Sequence, residues 1–182
     1  AAFTYTWVNK AGEAGAALAI FGPGVGGEPI QQRLADRKVP DDMNFSNWQI
    51  ENFSMRQDLQ FQHADISWKT DNASIEFSFD ALHPPYAYGS HKDGCPTYTA
   101  VNRIEQSGRT KGKISFNNKE ITFDTLIHRD HSWGCRVWEA FQTYNWFEGQ
   151  SEDGNTVVHY WRYFALGKEN LRGYVVKNGE MA

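Results

Sequence analysis

Between Ser74 and Leu82, apolar Ile75, Phe77 and Phe79 alternate with polar Glu76, Ser78 and Asp80. A period of two belongs to a strand with one buried and one wet face. The Thr70-Asp71-Asn72 triplet just before it is a turn, so Phe61 to Lys69 reads as its hairpin partner. The same punctuation recurs along the chain. Phe3, Tyr5 and Trp7 alternate with Thr4, Thr6 and Val8, Lys10 to Gly15 turns, and Ala16 to Phe21 returns. Trp48 to Met55 reads as a single strand broken by a bulge. Tyr98 to Glu105, Lys111 to Phe116 and Glu120 to Ile127 form a meander, turning at Gln106-Ser107-Gly108 and at Asn117-Asn118. Glu139 to Glu148 and Thr156 to Leu166 are two long strands, and Leu171 to Val176 is the last. Only Gln31 to Lys38, between Pro29 and Pro40, has room for a helix, of about two turns. About eleven strands at hairpin spacing make the class all-β, a barrel or a sandwich.

Composition narrows the function. A formal charge of −4, with Lys and Arg scattered, leaves no footprint for nucleic acid, which is excluded as a partner. No apolar run reaches the roughly 18 residues of a membrane helix, so no integral membrane segment is expected, and a soluble, cytoplasmic protein is favoured. Cys95 and Cys135 lack metal-ligand spacing and read as ordinary thiols. Aromatic residues make up 15% of the chain, enough to line a pocket for an apolar ligand as well as a core. Trp48, Phe77, Phe79 and Tyr98 are the expected lining. A strand that begins at Phe3 without lead-in, and a type I′ signal at Lys177-Asn178-Gly179 with no evident returning strand, suggest further strands beyond both ends.

The chemistry concentrates in Leu126 to Trp138, where two His, one Asp, two Arg and two Trp stand within thirteen residues. Ionisable groups beside large rings have their charged forms desolvated and their pKa values moved. The structural reading is an ion-pair network of Arg129, Asp130 and Arg136 clamped by the tryptophans. Two decoys fall away. His128-Arg129-Asp130 opens like a kinase catalytic loop, but Cys135 stands where that loop needs a metal-binding Asn. The glycines of Gly22 to Gly27 lack the long helix that a phosphate loop requires, and read as a turn between strands.

At Asp130-His131-Ser132-Trp133-Gly134, with Tyr144-Asn145-Trp146 downstream, the sequence resembles carotenoid 1,2-hydratases (hydroxyneurosporene synthases) and the wider AttH-like group of hydratases and cyclases. The resemblance implies two consecutive lipocalin-like antiparallel β-barrels. Residues 1–127 would hold most of the first, and 128–182 the junction motif and the opening strands of the second. The Arg after His128 departs from the hydratase pattern.

Hydration or cyclisation of an alkene needs a strong proton donor, ring faces to stabilise a cation, and a held water or nucleophile. Asp130 as acid and His131 as base fit the first and last needs. Trp133, Trp138 and Trp146 offer ring faces. His159 and Tyr160 follow on opposite faces of one strand; His159 is taken as catalytic and Tyr160 as binding. A metal set of His128, Asp130 and His131, with His159 as a fourth ligand, is opposed by strand alternation, which turns His131 away. No metal or other cofactor is expected. The expected function is an acid–base hydratase or cyclase acting on a terpenoid, steroid or lipid-like molecule; a lipocalin-like carrier that binds such a molecule without changing it is the other reading.

Overall fold

The turn residues decide where this chain reverses. In the computed structural model, which describes residues 1–182, it forms fourteen strands and two single 3-10 turns, Tyr88–Ser90 and Trp138–Ala140. By internal packing it divides into two compact units, Ala1–Ser78 with Lys111–Phe123, and Phe79–Thr110 with Asp124–Ala182.

In the first unit, β1 (Ala2–Val8), β2 (Glu13–Ile20) and β3 (Ile30–Lys38) make an antiparallel sheet in that order. The Asn9 side chain closes the first turn by accepting from the backbone N–H groups of Ala11 and Glu13. Residues 31–38 are therefore strand, not the short helix expected from the proline spacing. Propensity over so short a span is overridden by pairing with β2, and β3 bulges between Leu34 and Arg37, opposite Ala14 to Ala16, with Asp36 at φ 59°. β4 (Asn47–Ile50) and β5 (Phe53–Gln57) are two strands of a tight hairpin, Ile50 opposite Phe53, where a single bulged strand was expected. Glu51 takes φ 51° to make the reversal. β6 (His63–Lys69) and β7 (Ala73–Ala81) follow as read from their alternation. Trp48, Phe53, Trp68, Ile75 and Phe77 are buried here, and the Trp48 indole N–H donates to Thr6 Oγ1 at 2.8 Å.

β7 runs on into the second unit, and so do β9 (Asn102–Phe116) and β10 (Lys119–Trp133). The order β10-β9-β7-β6-β5-β4 makes one sheet, with β8 (Tyr86–Ala87) paired to β9. Asn117 and Asn118, both at positive φ, form the expected turn between β9 and β10. The turn expected at Gln106-Ser107-Gly108 does not exist: these residues lie in the middle of β9, and residues 98–101 are not strand. Gln106 and Ser107 are fully buried, their polar groups satisfied by long-range partners, and Gly108 is there because Phe79 crosses it. A Cβ on Gly108 would lie 2.4 Å from the Phe79 ring.

β11 (Phe141–Gln150), β12 (Thr156–Ala165), β13 (Lys168–Lys177) and β14 (Glu180–Met181) complete the second unit as an antiparallel sheet. Asn178 and Gly179 make the predicted turn, and the short β14 does return from it. His159, Trp161 and Tyr163 share the buried face of β12, against Tyr88, Tyr98 and Phe141. Burying each such ring stabilises the unit by about 2–3 kcal/mol.

Candidate active site

Strand alternation puts Arg103, Glu105 and Ser107 of β9 on one face, and His128 and Asp130 of the neighbouring β10 on the same side of the sheet. β11 contributes Trp146 and Glu148, β12 contributes His159, and the 3-10 turn after β8 contributes Tyr88. All belong to the second unit.

Glu105, with no accessible surface, is the hub. Its Oε2 lies 2.7 Å from His128 Nε2. Its Oε1 accepts from Arg103 Nε at 2.5 Å and from the Trp146 indole N–H at 3.1 Å, with His159 Nε2 at 3.7 Å. The other end of Arg103 reaches Asp130, Nη2 to Oδ2 at 3.0 Å, and its guanidinium lies over the Trp161 ring. His128 Nδ1 lies 3.0 Å from Ser107 Oγ, and that hydroxyl is 3.4 Å from Glu148 Oε1. The Tyr88 hydroxyl is 2.9 Å from His159 Nε2. The two imidazoles stack with centroids 5.2 Å apart, and Trp146 packs edge-on against both.

The charges divide by environment. Burial opposes ionisation of Glu105, but its His128 hydrogen bond and the Arg103 charge outweigh that and hold the carboxyl below its usual range. Asp130 goes the other way. Although 39% of its side chain is accessible, desolvation by its surroundings and the negative charge of Glu105 raise its pKa against the pull of Arg103. Burial pushes His159 down to about 4, so it is neutral at physiological pH. Burial and Glu105 push the Tyr88 phenol well above its usual range.

An ionised Glu105 only accepts, so His128 donates through Nε2, and in the neutral imidazole Nδ1 accepts a hydrogen bond that the Ser107 hydroxyl donates. A second set of bonds fixes the approach to Tyr88. His83 Nε2 accepts the Ser107 backbone N–H at 3.0 Å, its Nδ1 lies 2.7 Å from Pro84 O, and Gln106 Nε2 donates to the His83 carbonyl at 2.6 Å. The proline-rich segment leading to Tyr88 is thereby pinned to β9.

Of the residues singled out from sequence, Asp130 and His159 enter this network, and Trp146 covers it. His131 follows Asp130 on β10, faces the other way and packs edge-on against Trp133, which is exposed. Trp138 is exposed beneath the Arg136 guanidinium, and Arg136 also bonds Ser132 Oγ. Tyr160 stacks on Phe147, on the face of β12 opposite His159. Arg129 forks onto Gln106 Oε1 and lies 4.3 Å from the Phe79 ring centroid. Tyr98 packs against Phe141 and Tyr163. Trp48 and Phe77 are buried in the first unit, and Phe79 in the second.

Glu105, Arg103, Ser107 and Tyr88 were missed. The available signal was local: Arg103, Glu105 and Ser107 sit at i, i+2 and i+4, one strand face carrying polar groups, next to His128 and Asp130 at the same spacing. Breaking the strand at Gln106 hid it.

A family model described as Domain of unknown function (DUF7064) matches residues 1–182. No curated protein matches the chain by sequence. Among solved structures, an AttH-type protein of Nitrosomonas europaea aligns with a TM-score of 0.64 at 10% identity, over 93% of this chain and 56% of its own. Kievitone hydratase of Nectria haematococca aligns with a TM-score of 0.62 at 11% identity, over 100% of this chain and 62% of its own. This chain thus spans less than two thirds of either. At these identities the likeness shows the fold: an all-β, antiparallel, lipocalin-like barrel architecture of the AttH and hydratase type.

Proposed function

We propose, for a chain that belongs over residues 1–182 to the family described as Domain of unknown function (DUF7064), acid–base chemistry of hydratase or cyclase type on an apolar small molecule of terpenoid, steroid or lipid-like kind. The observation that carries this reading is Arg103, which bridges two carboxyls whose pKa values are pushed apart, Asp130 up and Glu105 down. Such a pair divides the roles of proton donor and ionised partner. Asp130, reached by solvent, is the acid; Glu105 stays ionised and holds His128 and Arg103 in place.

In this reading neutral His159, bonded to Tyr88, lies on the base side of the centre. Trp146, packed edge-on against His128 and His159, is the ring that the network itself offers to a cationic transition state. His131, packed on Trp133, orients that end of β10 and is not itself the base. A carrier would need no titrating pair beside its ligand, so the divergent carboxyls favour an enzyme over lipocalin-like transport. The fold shared with kievitone hydratase supports the same class.

The test is turnover in heavy-oxygen water by the full-length protein, with prenyl-chain and sterol-like alkenes as substrates. Incorporation of the label into an alcohol product is expected, and its loss in Asp130→Asn. Affinity confined to sugars, nucleotides or other strongly polar compounds would remove the proposal.

A further inference from the structure

We infer that Glu105, His128 and His159 together bind one divalent transition-metal cation of the zinc kind. This goes beyond the acid–base reading and does not depend on it. The three side chains come from β9, β10 and β12, and each offers one ligand atom, all within 4.8 Å of one another. The triad shares His128 and His159 with the metal set weighed from sequence, but Glu105 stands where Asp130 and His131 were considered. Two imidazole nitrogens and a carboxylate oxygen suit zinc, cobalt, iron or manganese far better than magnesium or calcium, which prefer all-oxygen sites.

Three features of the surroundings support the assignment. Arg103 and Trp146 both hold Oε1 of Glu105, which fixes the carboxylate plane and leaves Oε2, beside His128 Nε2, as the atom facing the cation. Ser107 Oγ lies at His128 Nδ1, so the His128 proton moves from Nε2 to Nδ1 on binding and the hydroxyl accepts it there. The Tyr88 hydroxyl, 2.9 Å from His159 Nε2, supplies a fourth oxygen or orients a bound water.

Charge argues the same way. Leaving aside Asp130, which the acid–base reading keeps protonated, the cluster with neutral imidazoles sets two carboxylates, Glu105 and Glu148, against one guanidinium, Arg103. The remaining negative charge in a largely buried site is costly, and a bound cation offsets it. Glu148 and the half-open Asp130 give the cation an acidic way in.

The experiment is zinc titration of untagged, metal-stripped protein by calorimetry, with no substrate present, together with X-ray absorption on the zinc-loaded wild type. One zinc per chain and a shell containing two imidazoles are expected. Glu105→Gln and His159→Gln should each weaken binding on the order of 100-fold, while His63→Gln, on β6 of the other unit, should not. Circular dichroism establishes which variants are folded, and the wild-type absorption spectrum answers the question if they are not. Binding no tighter than about 100 µM, or a shell with fewer than two imidazoles, would overturn the inference. Asp130→Asn should keep its zinc even if it loses turnover, so the two proposals fail separately.

Discussion

His128 Nε2 and Glu105 Oε2 lie 2.7 Å apart, joining β10 to β9 across 23 residues of sequence. This bond does more than pair two side chains. It leaves Glu105 ionised, fixes which His128 nitrogen carries the proton, and leaves the opposite carboxylate oxygen to Arg103 and Trp146. Charge on β9 is thereby wired to Asp130, where solvent begins.

Glu105→Gln preserves shape and removes the charge. Arg103 would then lose its buried counterion, and His128 a charged acceptor. A loss of about 3–5 kcal/mol is expected for the metal-free protein in urea unfolding. A change below about 1 kcal/mol would mean that Glu105 carries no structural charge.

Asp130→Asn should behave differently, because Asp130 is partly solvated and Arg103 keeps Glu105. Stability should fall by about 1 kcal/mol or less, while turnover should fall by roughly two to four orders of magnitude, as for loss of a positioned acid. Large destabilisation with activity per folded molecule unchanged would sink the catalytic role.

Acid should unfold the metal-free protein in two stages. The folded-state pKa of His159 is about 4, below the 6.5 of a free imidazole, so between those values the unfolded chain binds more protons and stability falls as pH falls. The contribution is on the order of 3 kcal/mol, and the lowered His83 and His131 act in the same direction. Glu105 has a lowered folded pKa, so its stabilisation is present above the 4.5 of a free glutamate and is lost as pH drops through its folded value. Urea midpoints measured across this range should slope downward toward acid, and less steeply in His159→Gln. A flat profile would show that His159 is not held neutral.

Gly108→Ala tests the one turn that turned out to be strand. The added methyl meets the Phe79 ring and the Asp80 carbonyl, at 2.4 and 2.6 Å. A cost of about 1–3 kcal/mol is expected from overpacking. In an exposed turn the same change would be close to neutral, so thermal melting of this variant distinguishes the two placements.

The sequence by itself determined the all-β class, most of the hairpins and the reversals at Asn117-Asn118 and Asn178-Gly179, because alternation and positive-φ turn chemistry act between residues adjacent in the chain. It also singled out Asp130 and His159 by residue type, and both lie in the network around Glu105 and Arg103. Only the tertiary structure decided that Gln106-Ser107-Gly108 stays extended, since the groups satisfying it come from His83, His128 and Phe79. For the same reason Glu105 and Tyr88 were illegible as site residues. A lone Glu in a strand and a Tyr after a proline-rich loop acquire meaning only when strand pairing and packing bring them against His128 and His159, and those partners are set by register across the sheets, which no short window of sequence contains.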